Sequence, residues 1–354
     1  MTTTTQSLKM QLQCPMPKLD FEVITLGHGS GGTLTNKLLD SGVFDLLNND
    51  ILEERHDGAF LNLTGKTAFS TDSFIVSPVF FPGGNIGELA VNGTVNDLAM
   101  CGAVPQYLSL SFIIEEGLKM TEFWEILVAI KLASERAGVK IVTGDTKVVE
   151  KGKGDKIFIN TSGVGQVHAQ ANIGKRNIQE GDQIVVSGNL AAHGMAIMSV
   201  REGLEFETQI VSDTTNLNHT IITLIEQFGS QIHWLTDPTR GGIATVLKEI
   251  AVETNIGIDL AQKNIPIDSQ VASACELLGL DPLYVANEGL FIAFVAPEIA
   301  DEFVQKLRTL DQGQHAQCIG QVVVNHPKQV ILESAIGGKR VVNMLPGEQL
   351  PRIC

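Results

Sequence analysis

The chain has 354 residues, 44% hydrophobic and 5% aromatic, with 35 glycines and a formal charge of −15 from 40 acidic against 25 basic residues. That length and composition suit a two-domain globular enzyme of mixed helix and strand, and an acidic balance with no Lys/Arg-rich run argues against nucleic acid or an anionic membrane as partner. No run approaches the roughly 18 apolar residues of a membrane span, Met1-Thr-Thr-Thr-Thr-Gln lacks the basic and apolar regions of a signal peptide, and the five cysteines (Cys14, Cys101, Cys275, Cys318, Cys354) are too scattered for a disulfide framework or a zinc site, so a cytoplasmic protein is expected.

Residues 1–18 read as a loosely attached arm. Leu26-Gly-His-Gly-Ser-Gly-Gly-Thr33 follows, running into a helical pattern at Leu34, Leu38, Leu39 and Leu46. Gly29, Ser30, Gly31 and Gly32 allow the backbone to turn N–H groups toward an anion at a helix start, although the Gly-Lys-Ser/Thr ending of a Walker loop is missing. Alternation predicts strands over 57–63 and 67–71 joined as a hairpin at Thr64-Gly65-Lys66, the second delivering Asp72 at its C-terminal end. A carboxylate there commonly caps a turn, which is the favoured reading until a partner carboxylate appears.

A helix is predicted from Asn85 to Cys101, closed by Gly102. Asn92 and Asn96 lie one turn apart on it, with Asp97 adjacent, in an otherwise small and apolar segment. Such residues are poor helix formers and costly to bury unpaired, which points to a site rather than to packing. A strand over 106–114, an amphipathic helix over 121–137 ended by Gly138, and a strand over 139–143 come next. The last opens into Gly144-Asp-Thr-Lys147, where Asp145 with Lys147 two residues on forms a candidate metal–phosphate grip. A strand over 157–167 closes this half.

The pattern restarts near Asn172: a strand at 182–187, a helix at 189–200 whose His193 reads as structural, and a strand at 232–235 leading into Thr236-Asp-Pro-Thr-Arg-Gly-Gly242 and a helix to Glu253. Asp237 and Arg240 flank a glycine pair at that helix start, a setting for an anion or simply a well-capped turn. A helix over 268–278, Val285-Ala-Asn-Glu-Gly289, a strand over 290–295, a helix over 298–310 and two strands ending near Glu333 complete the second half. Gly337-Gly338 and Pro346-Gly347 predict turns, with Pro351 stiffening an extended approach to Cys354. Asp72, Asp97 and Asp145 supply hard oxygen ligands suited to Mg²⁺, and with the Gly-rich turns, Lys147 and Arg240 they suggest ATP binding without a Walker loop.

His28-Gly-Ser-Gly-Gly32, Thr71-Asp-Ser73, Asn92-Gly-Thr-Val-Asn-Asp-Leu-Ala99, Gly144-Asp-Thr-Lys-Val148, Asp237-Pro-Thr-Arg-Gly-Gly242 and Asn287-Glu-Gly289, in this order over nearly the whole chain, resemble the PurM-like ATP-binding superfamily. Pro351-Arg-Ile-Cys354 resembles its hydrogenase-maturation branch. The resemblance implies an α+β (mixed α/β) two-domain fold: an N-terminal ATP-binding domain over 19–170 that forms a homodimer through its sheet, a C-terminal domain over 171–335, and a mobile tail over 336–354 ending in an acceptor cysteine. It also implies ATP in the cleft against Gly29 to Gly32, Asn92, Asp97, Asp145, Asp237 and Arg240, with Asp72, Asp97 and Asp145 on Mg²⁺. In that branch the cysteine receives a carbamoyl group from the carbamoyltransferase HypF, ATP-dependent dehydration turns it into a thiocyanate, and the cyanide passes to iron on the HypC–HypD complex for the Fe(CN)₂CO unit of [NiFe]-hydrogenase. Dehydration needs a base near the carbamoyl nitrogen, for which Glu288 is the candidate, with Lys147 beside the phosphates or tuning that glutamate; the Cys354 carboxylate is expected to oppose its thiolate and Arg352 to favour it. A kinase or synthetase acting on a free small molecule, and a thiol carrier that hydrolyses no ATP, remain as alternatives.

Overall fold

The computed structural model describes residues 21–203, 209–345, 347, 350 and 352–354. The expected arm at 1–18 and the expected stiffening by Pro351 fall outside those residues.

The N-terminal half is a four-stranded sheet of β1 (Thr67–Phe74), β2 (Ala103–Glu115), β3 (Lys140–Val149) and β4 (Ile157–Val167), in the order β1-β4-β2-β3. β2 and β3 are parallel and the other neighbours antiparallel. One face carries Leu108, Leu110, Phe112, Ile114, Ile157 and Ile159, all buried, beneath α2 (Ile86–Met100) and α3 (Met120–Ala137). α1 (Thr33–Leu38) continues through a π-turn at Leu39–Phe44. α2 is buried nearly all round, and Asn85 caps it by accepting the N–H groups of Gly87 and Glu88. α3 shows the one-sided burial that its periodicity predicts and ends on Gly138 with φ 73°.

The second half is a seven-stranded sheet. Its strands are β5 (Gln183–Val186), β6 (Ile232–Thr236), β7 (Gly257–Ala261), β8 (Ile292–Val295), β9 (Gln317–Val323), β10 (Val330–Glu333) and β11 (Lys339–Val342), in the order β11-β10-β7-β9-β5-β8-β6. Only β7 and β10 pair in parallel. α4 (Ala192–Arg201), α5 (Asn218–Phe228), α6 (Gly242–Thr254), α7 (Ser269–Leu278) and α8 (Ala300–Arg308) pack around it.

Four expectations are corrected. Residues 57–63 form no ladder: among the described residues β1 pairs only with β4, and its other edge has no partner. Asp72 and Asp145 lie inside strands rather than at their ends, since β1 runs on to Phe74 and β3 to Val149. The stretch assigned wholly to a mobile tail contains β11, which hydrogen-bonds to β10 around a turn at Gly337. Leu350 and Ile353 then return to pack on the body of the protein, Ile353 at 3% exposure.

Candidate active site

A cleft of about 530 Å³ between the halves gathers Asp72, Asp97, Asp237, Arg240, Glu288 and Cys354. Asp72 enters from β1 and Asp97 from α2, where the Ser70 hydroxyl donates to its Oδ2 at 2.6 Å. Burial raises the pKa of both carboxyls, and the charge of Asp72 adds to the rise at Asp97. Asp237 follows β6. Burial, then the charges of Asp97 and Asp72, push its carboxyl up to about 7.

Glu288 sits in the loop before β8, and four hydrogen bonds hold that loop. The amide of Asn287 accepts from Ala191 N–H at 2.7 Å and donates to the Pro238 carbonyl at 2.9 Å. The carboxylate of Asp213 accepts the backbone N–H groups of Glu288 and Gly289, each at 3.1 Å. A Cβ on Gly289 would stand 1.8 Å from the Asp213 carbonyl, so this close approach requires glycine. The Glu288 side chain is 4% exposed and its Oε1 has no partner. Burial, then like charge from Asp213 and Asp237, raises its pKa well above the carboxylate range, while the hydrogen bond from Cys354 opposes that rise. Burial and the neighbouring Glu288 push the Cys354 thiol up in turn, and Arg240 pulls it down. Thiol and acid thus face each other, each held toward its protonated form by burial and like charge.

The charge expected to favour thiolate is therefore Arg240 rather than Arg352, whose guanidinium pairs with Asp155. Asn92 and Asn96, both buried, join the halves. Asn92 donates to Thr214 Oγ1 at 3.3 Å, with its own Oδ1 unpartnered. Asn96 donates to the Thr215 carbonyl at 3.0 Å and accepts from Leu217 N–H at 2.8 Å.

The remaining candidates gather elsewhere. Gly29, Gly31, Asp145 and Lys147 line a second cavity of about 190 Å³, walled by Phe44, Leu47 and other apolar side chains. Gly29 lies so close to β3 that a Cβ would stand 2.4 Å from the Val148 nitrogen. Ser30 donates to the Gly27 carbonyl at 3.0 Å, and the Gly31 N–H to Thr35 Oγ1 at 3.0 Å. Gly32 is the N-cap of α1. Lys147 pairs with Asp145 at 2.6 Å and holds its pKa below the usual value. Asp145 pairs in register with Ser111, then Asn160, then Ser73. It is therefore three strands from β1, roughly 14 Å at sheet spacing, and on the face opposite the helices. Asp72 and Asp97 share a cleft that Asp145 of the same chain does not enter. Among the described residues no three His, Cys, Asp or Glu side chains stand close enough to hold a metal ion. Asp72 and Asp97 do offer the hard oxygen donors that Mg²⁺ prefers beside nucleotide phosphates.

Asp213 was not legible in the sequence. Val211-Ser-Asp-Thr-Thr-Asn216 shows no period, no glycine and no helix start, so nothing local marks that carboxylate as the support of Glu288.

Residues 55–167 match the family described as AIR synthase related protein, N-terminal domain, and residues 179–333 its C-terminal domain. Both halves are thus of the AIR synthase related class. Carbamoyl dehydratase HypE of Bradyrhizobium diazoefficiens is 46% identical over 95% of this chain and 98% of its own length. A crystal structure of the hydrogenase maturation protein HypE in complex with ATP superimposes with a TM-score of 0.89 at 44% identity, over 93% of this chain and 99% of that one. HypE in a HypE–HypF complex gives 0.77 at 42% identity, over 89% and 100%. The chain belongs to the HypE carbamoyl dehydratase family. No helix among the described residues is long and apolar enough to cross a membrane.

Proposed function

We propose that the protein dehydrates an S-carbamoyl group carried on its own Cys354 to a thiocyanate, consuming ATP and supplying cyanide for the Fe(CN)₂CO centre of [NiFe]-hydrogenase. The observation that carries this reading is the Cys354 thiol seated in the acidic cleft beside Glu288. A kinase acting on a free substrate has no need of a thiol there. HypF is the expected carbamoyl donor and the HypC–HypD complex the expected cyanide acceptor.

The carbonyl oxygen of the carbamoyl group attacks the terminal phosphorus of ATP and releases ADP, which turns a poor leaving group into phosphate. The C–O bond then breaks and S–C≡N forms. Two N–H protons leave in turn, one through Glu288 and one with the departing phosphate. Glu288 is competent as base once positive charge beside Asp72 and Asp97 offsets the like charges that hold its proton on. Asp72 and Asp97 would hold Mg²⁺, whose charge neutralises the phosphates during transfer. Arg240, the Gly29–Gly32 turn with Lys147, Asn92 with its unpartnered oxygen, and Asp237 in the cleft wall are the further contacts we assign to the nucleotide.

Asp145 and Lys147 serve this site in a homodimer. Among the described residues the sheet face away from α2 and α3 is uncovered and carries Phe69 at 67% and Ile113 at 46% exposure, while β1 has an open edge. Asp145 and Lys147 look out on the same face, so a second copy docked there can receive them where its own chain leaves a ligand wanting.

The test is the intact mass of the chain after incubation with HypF, carbamoyl phosphate and ATP. Wild type should gain a carbamoyl and then a cyano group, and Cys354→Ala neither, with ATP binding retained. Label on another cysteine of the variant would end this reading.

A further inference from the structure

His193 reads as structural in the sequence, and the structure gives it more to do. It is fully buried on α4, with Phe81 edge-on at 5.5 Å. Its Nε2 stands 2.9 Å from the carbonyl oxygen of Ile353 and its Nδ1 2.8 Å from Ser212 Oγ. A carbonyl only accepts, so Nε2 bears the proton, and Nδ1 accepts from the Ser212 hydroxyl. Ser212 Oγ in turn accepts the Thr214 N–H at 3.0 Å. Burial holds the imidazole neutral, its pKa lowered to about 4, which keeps this tautomer in place at neutral pH.

The preceding tail carbonyl is held as well: Arg352 O accepts from the Arg201 guanidinium and from Ser77 N–H at 3.2 Å. All three contacts fall on backbone carbonyls. The sulfur can therefore gain a carbamoyl or a cyano group while the same grip persists. The turn that orients His193 also carries Asp213, whose carboxylate fixes the backbone of Glu288 and Gly289. One short segment, Ser212-Asp213-Thr214, sets both the thiol and its facing acid.

We infer that His193 is a positioning residue, which through Nε2–H and the Ile353 carbonyl registers Cys354 against Glu288, with Ser212 fixing its tautomer. The inference deepens the function proposed above and rests on that reading for its catalytic meaning, but its test needs neither ATP nor a carbamoyl donor.

The full chain is alkylated with iodoacetamide at pH 7.5, and the rates at Cys354 and at buried Cys275 are read peptide by peptide. His193→Asn places an amide near Nδ1 and leaves the Ile353 carbonyl unpaired. His193→Gln returns an N–H to the position of Nε2. Labelling at Cys354 should rise on the order of tenfold in His193→Asn, as loss of one buried hydrogen bond implies, and fall back toward wild type in His193→Gln, with Cys275 protected throughout. Equal Cys354 rates in the two variants, or no rise in either, would overturn the assignment. Should Cys275 open in His193→Asn, Ser212→Ala decides: a rise at Cys354 alone supports the assignment and an unchanged rate refutes it. Latch-dependent protection in a chain that never accepts a carbamoyl group would sink the proposed function and leave the latch standing.

Discussion

Asp237 gives the sharpest quantitative test of the cleft. Its carboxyl keeps its proton to about pH 7 in the folded protein because it is buried beside Asp97 and Asp72, against a usual value of 3.8. The unfolded chain releases that proton near pH 4, so raising the pH from 4 to 8 removes stability from the folded state. About 3 units at 1.36 kcal/mol each set an upper bound of about 4 kcal/mol. Asp237 lines the cleft and keeps some contact with water, which brings the expected figure to about 2–4 kcal/mol. For a chain of this length, with an unfolding entropy of about 2 cal/mol/K per residue, that is a shift in Tm of roughly 3–5 °C. Asp237→Asn has no proton to lose. Thermal unfolding of both proteins from pH 4 to 8.5, without nucleotide, should show the variant gaining on wild type as pH rises from about 4 to about 7, with the difference levelling off above pH 7. Glu288 and Asp213 are common to both and largely drop out of the difference. A difference independent of pH would refute the assignment of a buried, like-charged Asp237.

Burial and like charge favour the protonated form of Glu288, and Glu288→Gln replaces that form by its amide, so stability should change by about 1 kcal/mol or less, while thiocyanate formation falls about 10²–10⁴-fold; a large loss of Tm would show that the carboxylate form is the one the free cleft holds. Asp72→Asn and Asp145→Asn should each abolish turnover alone, yet recover about a quarter of wild-type activity when mixed and allowed to exchange, because half the dimers then carry one intact site of two. No recovery would place Asp72 and Asp145 of a single chain in one site. Binding of Mg²⁺–ATP near pH 7 should release protons, on the order of half a proton from Asp237 with a further share from Glu288. Affinity should accordingly rise with pH, and calorimetry in buffers of differing ionisation enthalpy that shows no proton release would contradict this.

Much of the site was readable from residue order alone. Alternation located β4, periodicity and Gly138 located α3, and Asn92, Asn96 and Asp97 declared themselves as polar residues in an apolar helix. These signals are local, with periods of 2 or 3.6 residues, and need no knowledge of what lies across the fold. What the tertiary structure decided is convergence. Sheet order and register, not spacing along the chain, carry Asp145 to the edge and face opposite Asp72. The partner of β1's open edge is likewise not encoded within residues 57–63. Asp213 supports Glu288 from 75 positions away and His193 grips Ile353 from 160 away, distances over which a single sequence carries no periodic trace. Burial made the remaining difference. The ordinary Asp237, Glu288 and Cys354 of the sequence become proton-retaining groups only because the two halves close over them and withdraw the water that would stabilise their charged forms.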